Sequence, residues 1–104
     1  MAFDEGLADH IREALSGREG FSERKMFGGI GFMLNGNMAV GVHGDELIVR
    51  IAPERTDEAL AQPHTRIFDM SGRPMKGWLL VGPGADFDAW IAEGAGYAAS
   101  LPPK

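Results

Sequence analysis

Few residues in this chain have the types and spacing that chemistry needs. The run Gly28-Gly29-Ile30-Gly31 is the kind of glycine-rich stretch that can wrap a phosphate with backbone N–H groups. That use requires a strand-to-helix junction or a closing Gly-Lys-Ser/Thr. Here the glycines sit within a strand pattern and no helix follows, so they read as points of bending or close backbone approach. His10, His43 and His64 are far apart and show no metal-ligand spacing. His43 is expected to face Glu46 across a Gly44-Asp45 turn. The acidic pairs Asp57-Glu58 and Asp86/Asp88 suit helix N-terminal regions rather than general acid–base work. Ser16, Ser22, Ser71 and Ser100 lie near turns or ends, outside any nucleophile-elbow pattern. No catalysis, metal or cofactor is expected. The residue that stands out is Arg50, a cation on a central strand. Its stem can lie over small neighbours with its head in water, or its guanidinium can act as a recognition group in a shallow groove. Lys25 and Lys76 are candidates for the rim of that groove, and Trp78 and Trp90 read as packing anchors.

A chain of 104 residues is expected to form a single domain, residues 1–104. Its composition, 44% hydrophobic, is that of a folded chain with a modest core. There are no cysteines, which removes disulfides, thiolate metal sites and thiol nucleophiles together. No apolar run is long enough to span a membrane, and the acidic start lacks a secretory pattern, so a cytoplasmic protein is expected. Net charge is −5. Residues 18–76 hold eight Lys/Arg and eight Asp/Glu, so the acidic excess is terminal and no basic stripe exists. Strong nucleic-acid binding, which depends on clustered cations, is therefore not expected.

The elements that must position Arg50 follow from periodicity. Residues 3–16 carry Phe3, Leu7, Ile11 and Leu15 at helical spacing, with Gly17 as a natural cap. Residues 17–23 form a polar link. Lys25 to Val42 read as two strands about Asn35-Gly36, a strong hairpin signal. A three-residue loop Leu34-Asn35-Gly36 is preferred, because it places Phe32 opposite Met38 and Ile30 opposite Val40 and keeps one apolar face. A two-residue loop would send those sets to opposite faces. The Gly44-Asp45 turn pairs Val42 with Leu47 and Val40 with Val49. The other face then shows rows Gly31–Ala39–Arg50 and Gly29–Gly41–Ile48. Gly29, Gly31, Ala39, Gly41 and Arg50 would form an open contact surface, unless one of the chain's own helices crosses it. A short helix is expected from Pro53 to about Ala61, strands at 65–70 and 76–81, a turn at Ser71-Gly72-Arg73-Pro74, and a last helix capped by Asp86. Gly94 and Gly96 weaken that helix by about 1 kcal/mol each relative to Ala.

The run Arg24-Lys25-Met26-Phe27-Gly28-Gly29-Ile30-Gly31-Phe32, then Leu47-Ile48-Val49-Arg50, then Phe68-Asp69-Met70 with Lys76-Gly77-Trp78, resembles the N-terminal domain of the TfoX/Sxy family over roughly residues 10 to 100. The fold class expected from the pattern is α+β, a two-layer, mostly antiparallel sheet of about five strands with terminal helices packed on it. The resemblance implies the order α-β-β-β-α-β-β-α, as in secretion-chaperone-like folds. It also implies regulation. Longer members promote natural competence with the cyclic-AMP receptor protein at promoters and carry a second, C-terminal domain, for which a chain ending at Lys104 has no room. The expected role is a non-enzymatic regulatory or protein-interaction module, with a protein partner that can belong to the transcription machinery. A nucleic-acid-binding regulator and a small-ligand or enzyme-accessory domain are the alternatives. Self-association as a homodimer is expected from the sheet's edge strands.

Overall fold

The computed structural model describes residues 3–26, 28–69 and 76–103. Met70, the Ser71-Gly72-Arg73-Pro74 turn, Phe27 and Lys104 lie outside the described residues. Helix α1 spans Glu5–Leu15. Its N-cap is Asp4, whose carboxylate accepts the Leu7 N–H at 3.1 Å, satisfying one of the amides that the first turn leaves without a partner. The strands β1 (Phe21–Met26), β2 (Gly29–Leu34), β3 (Asn37–His43) and β4 (Glu46–Arg50) follow as an antiparallel meander. A 3-10 turn at Pro53–Arg55 leads into α2 (Thr56–Leu60), then come β5 (Thr65–Ile67), β6 (Trp78–Val81) and α3 (Phe87–Ser100). Asp86 caps α3 as expected, accepting from the Ala89 N–H at 3.1 Å. The six strands form one antiparallel sheet in the order β1-β2-β3-β4-β6-β5. This is the expected α+β fold, with six strands among the described residues where about five were expected.

The additional strand is β1. The polar link and the start of the first predicted strand are one element, Phe21–Met26, separated from β2 at Gly28, which takes φ 74°. Met26 pairs with Gly29 and Phe21 with Leu34. The run Ser22-Glu23-Arg24-Lys25 is exposed, so it lacks the alternating apolar pattern that marks a half-buried strand. Those charges suit its place at the sheet edge, where they discourage pairing with another chain. The opposite edge, β5, is only three residues long.

The hairpin β2–β3 departs from the expected register. Asn35 and Gly36 both take positive φ, 53° and 82°, and Leu34 pairs with Asn37. The loop therefore has two residues, with both φ signs of a type I′ turn. Met33 pairs with Met38, yet Phe32 pairs with Val40 and Ile30 with Val42. Ala39 is the extra residue of a β-bulge, and it shifts the strand's alternation by one. Met38 thus lies on one side of the sheet while Val40 and Val42 return to the side of Ile30 and Phe32. The pairs Val42–Leu47, Val40–Val49 and His43–Glu46 stand as expected. The turn between them has Gly44 at φ 60°.

All three helices pack on one side. The main core joins Leu7, Ile11 and Leu15 of α1 and Trp90, Ile91 and Ala95 of α3 to Ile30, Phe32, Val40, Val49 and Leu79 of the sheet. Helix α3 sits especially close to β3, because Gly94 faces the bulge. A Cβ on Gly94 would fall 2.5 Å from the Ala39 carbonyl oxygen and 2.7 Å from Val40 Cγ1. A Cβ on Gly96, by contrast, would meet nothing within 4 Å. Helix α1 is tied to the edge by Arg12, which donates Nε and Nη2 to Glu23 at 2.8 Å each and Nη1 to Asp9 at 2.6 Å.

Gly96→Ala is expected to stabilise the protein by up to about 1 kcal/mol, by removing the helix-propensity penalty at an open site. Gly94→Ala is expected to destabilise it by about 1–3 kcal/mol through overpacking. Urea titrations of the two variants check this. Hydrogen bonding to Arg12 holds the Glu23 carboxyl below its ordinary value of 4.5. Its stabilisation is therefore full above that value and fades as pH falls through the lowered folded-state pKa. Both side chains are 36% exposed, so Glu23→Gln should lower stability at neutral pH by only about 0.2–1 kcal/mol. Stability curves of the variant and the parent should converge in acid.

Candidate functional site

Opposite the helices, the sheet carries a second apolar cluster, built by the bulge. Met38, Ile48, Phe68 and Leu80 are buried in it, and Met26, Met33 and Trp78 pack against them while partly exposed. No described residue of α1, α2 or α3 belongs to it. Phe68 and Trp78 meet with ring centroids 6.3 Å apart in a tilted arrangement, a favoured geometry for aromatic pairs. The sheet rows on this side are Arg24–Gly31–Gly41–Ile48–Leu80–Arg66 and, one step further along β4, Arg50–Trp78.

The two glycines of that row are roofed by methionines. A Cβ on Gly31 would lie 3.0 Å from Met26 Cε, 3.2 Å from Met26 Sδ and 3.3 Å from Met38 Cε. On Gly41 it would lie 2.8 Å from Met38 Cε and 2.7 Å from the Ile30 carbonyl oxygen. The close approach that the glycines imply is thus made by the chain's own flexible thioether side chains, which suit irregular gaps. Among the described residues, no helix occupies that position.

The structure separates the residues that the sequence brought together. Gly31, Gly41 and Arg50 share the second side of the sheet. The expected rows Gly31–Ala39–Arg50 and Gly29–Gly41–Ile48 do not form, because the bulge pairs Gly31 with Gly41. Ala39 is fully buried in the helix-side core. Gly29 is pressed against β3, where a Cβ would fall 2.0 Å from the Val42 carbonyl oxygen. Lys25 pairs with Ile30 and so lies toward the helix side, where it lines a hollow of about 630 Å³ with Phe3, Glu5, Arg12 and Gly29. Lys76 is exposed, just before Trp78. The contributions of Met26, Met33, Trp78 and Tyr97 were not legible as a group. The alternation Ser22-Arg24-Met26 was the available signal, and the bulge that completes the group has no sequence mark.

Arg50 is held differently from Arg12, Arg55 and Arg66. Its guanidinium carbon lies 5.2 Å from the Trp78 ring centroid and 5.7 Å from that of Tyr97 on α3, within cation–π range of both. The other three are each bound by a carboxylate, from Glu23, Glu93 and Glu46 respectively. Those hydrogen bonds raise the pKa of each guanidinium above its ordinary value.

A second cleft, of about 400 Å³, lies between the α2–β5 link and the start of α3, lined by Arg55, His64, Gly84, Asp86, Trp90 and Glu93. Its polar groups serve the fold. Arg55 donates to Glu93 at 2.7 and 2.8 Å, Asp86 caps α3, and the His64 carbonyl accepts from the Gly82 N–H at 2.8 Å.

A family model described as the TfoX N-terminal domain matches residues 13–93. No curated protein and no solved structure matches the chain.

Gly41→Val is expected to destabilise the fold by about 1–3 kcal/mol, since the added atoms meet backbone as well as a movable methionine. Gly31→Ala meets only side-chain ends and should be milder, below about 1 kcal/mol. Thermal unfolding of both variants tests the methionine roof. Equal effects would contradict it.

Proposed function

Because the chain belongs to the TfoX N-terminal domain family, we propose that it is a non-enzymatic regulatory module that acts in the cytoplasm by binding another protein. Its contact surface is the side of the sheet away from the helices. The observation that carries this reading is the second apolar cluster, which no described helix covers and whose rim of Met26, Met33 and Trp78 remains partly exposed. Methionine adapts its shape to a partner at low energetic cost, and Trp is among the residues that dominate contact energies when buried. The arginines of the face, Arg24, Arg50 and Arg66, are separated by this apolar ground rather than clustered, and Arg66 is paired with Glu46, which suits a protein surface better than a phosphate backbone. The partner belongs to the transcription machinery on this reading, in line with the competence regulation that the family resemblance implies.

A photoreactive amino acid placed at Met33, and in a control at the exposed Glu13 of α1, tests the proposal in native cells. Adducts are expected from position 33 and not from position 13, with a transcription component identified in them by mass spectrometry. Adducts from both positions alike, none from position 33, or adducts to proteins unrelated to transcription would overturn it.

A further inference from the structure

Arg50 leaves its hydrogen-bonding edge without an acceptor among the described residues, although acids are abundant. The sequence has 15 Asp/Glu against 10 Lys/Arg. Arg12, Arg55 and Arg66 each donate two hydrogen bonds to one carboxylate. Arg50 donates none among the described residues and contacts rings instead. Contact with aromatic rings attracts the charge of a guanidinium without supplying acceptors for its N–H groups. The two rings come from different layers, Trp78 from β6 and Tyr97 from α3, so they hold the group from the sheet and the helix together. A side chain restrained in this way loses less freedom when it forms a fork-to-fork pair.

We propose that Arg50, held by Trp78 and Tyr97, recognises a carboxylate on an acidic, apolar-flanked segment of the partner protein. This rests on the interaction reading given above and names the chemistry of its partner. Charge complementarity selects the acid, since the guanidinium has no counter-ion among the described residues. The adjoining Trp78, with Met33 and Met26 further across the face, is partly exposed and supplies apolar ground for the residues beside it. A nucleic acid offers anions as well, but the net charge of −5 opposes its approach over the rest of the surface.

The test uses the whole chain and two synthetic peptides, acetyl-Ser-Leu-Glu-Glu-Leu-Ser-amide and its twin with Gln in place of each Glu. The Arg50 Nε–Hε resonance is followed by NMR. The Glu peptide should shift it saturably, and the Gln twin should bind ~10-fold more weakly or worse, as expected for loss of a charge-assisted pair. Arg50→Lys keeps the charge but not the fork or the stacking, and should weaken the Glu peptide by ~10-fold with the amide spectrum otherwise retained. Equal binding of the twins, an unchanged affinity in Arg50→Lys, or no saturable shift up to about 10 mM peptide would overturn the proposal. So would duplex DNA shifting the same resonance at physiological salt while the Glu peptide does not. Adducts at position 33 that persist while the twins bind alike would retain the interaction face and remove Arg50 as its acid-recognising group.

Discussion

Ala39 adds one residue to a strand that would otherwise alternate regularly, and much of the structure depends on the contact made there. The bulge lets a two-residue Asn35-Gly36 turn coexist with a continuous helix-side core. Met38 is turned away, while Val40 and Val42 rejoin Ile30 and Phe32. The bulge is also where α3 comes down, with Gly94 placed so that a side chain would strike the Ala39 carbonyl. That approach brings Tyr97, three residues further along α3, to the end of β4, where Arg50 lies within reach of its ring. A local irregularity of one residue thus orders two apolar clusters, one helix and one arginine.

The two sides of the sheet solve different packing problems. The helix side is filled by branched and aromatic residues of fixed shape, and its largest members, among them Phe32, Ile11 and Leu47, are fully buried. The other side has glycines at its centre, and unbranched methionines close over them. Dense filling with stiff side chains favours a single packing, whereas thioether side chains hop between rotamers at little cost and adjust to what lies against them. The same contrast appears in the charges. On the helix side Arg12 is locked to Glu23 and Arg55 to Glu93, and at the β5 edge Arg66 is locked to Glu46. On the second side, Arg50 is held by rings, which fix its position without neutralising its charge.

Much of the element order could be read directly from residue types. Asp86 announced the start of α3, Gly44-Asp45 closed the β3–β4 turn, and Pro53 opened the segment leading into α2, because capping, positive φ and a fixed proline φ act over a few residues. The run Arg24 to Phe32 carried the family membership that the match over residues 13–93 establishes. The edge strand β1 was hidden, since four exposed polar residues give no apolar alternation and edge strands are charged for a reason that concerns other chains.

What the sequence determined by itself is therefore local and compositional: the helices, the Gly44-Asp45 turn, the absence of cysteine chemistry, the acidic balance and the prominence of Arg50. Which residues share a face was decided only by the tertiary structure. Side chains alternate with period two, so a single inserted residue reverses every later position, and the bulge lies against Gly94 of α3, more than fifty residues away in the chain. Ala39 and Met38 exchanged faces for that reason. Arg50 acquired its two rings from β6 and α3 for the same reason, since neither Trp78 nor Tyr97 is near it until the layers close.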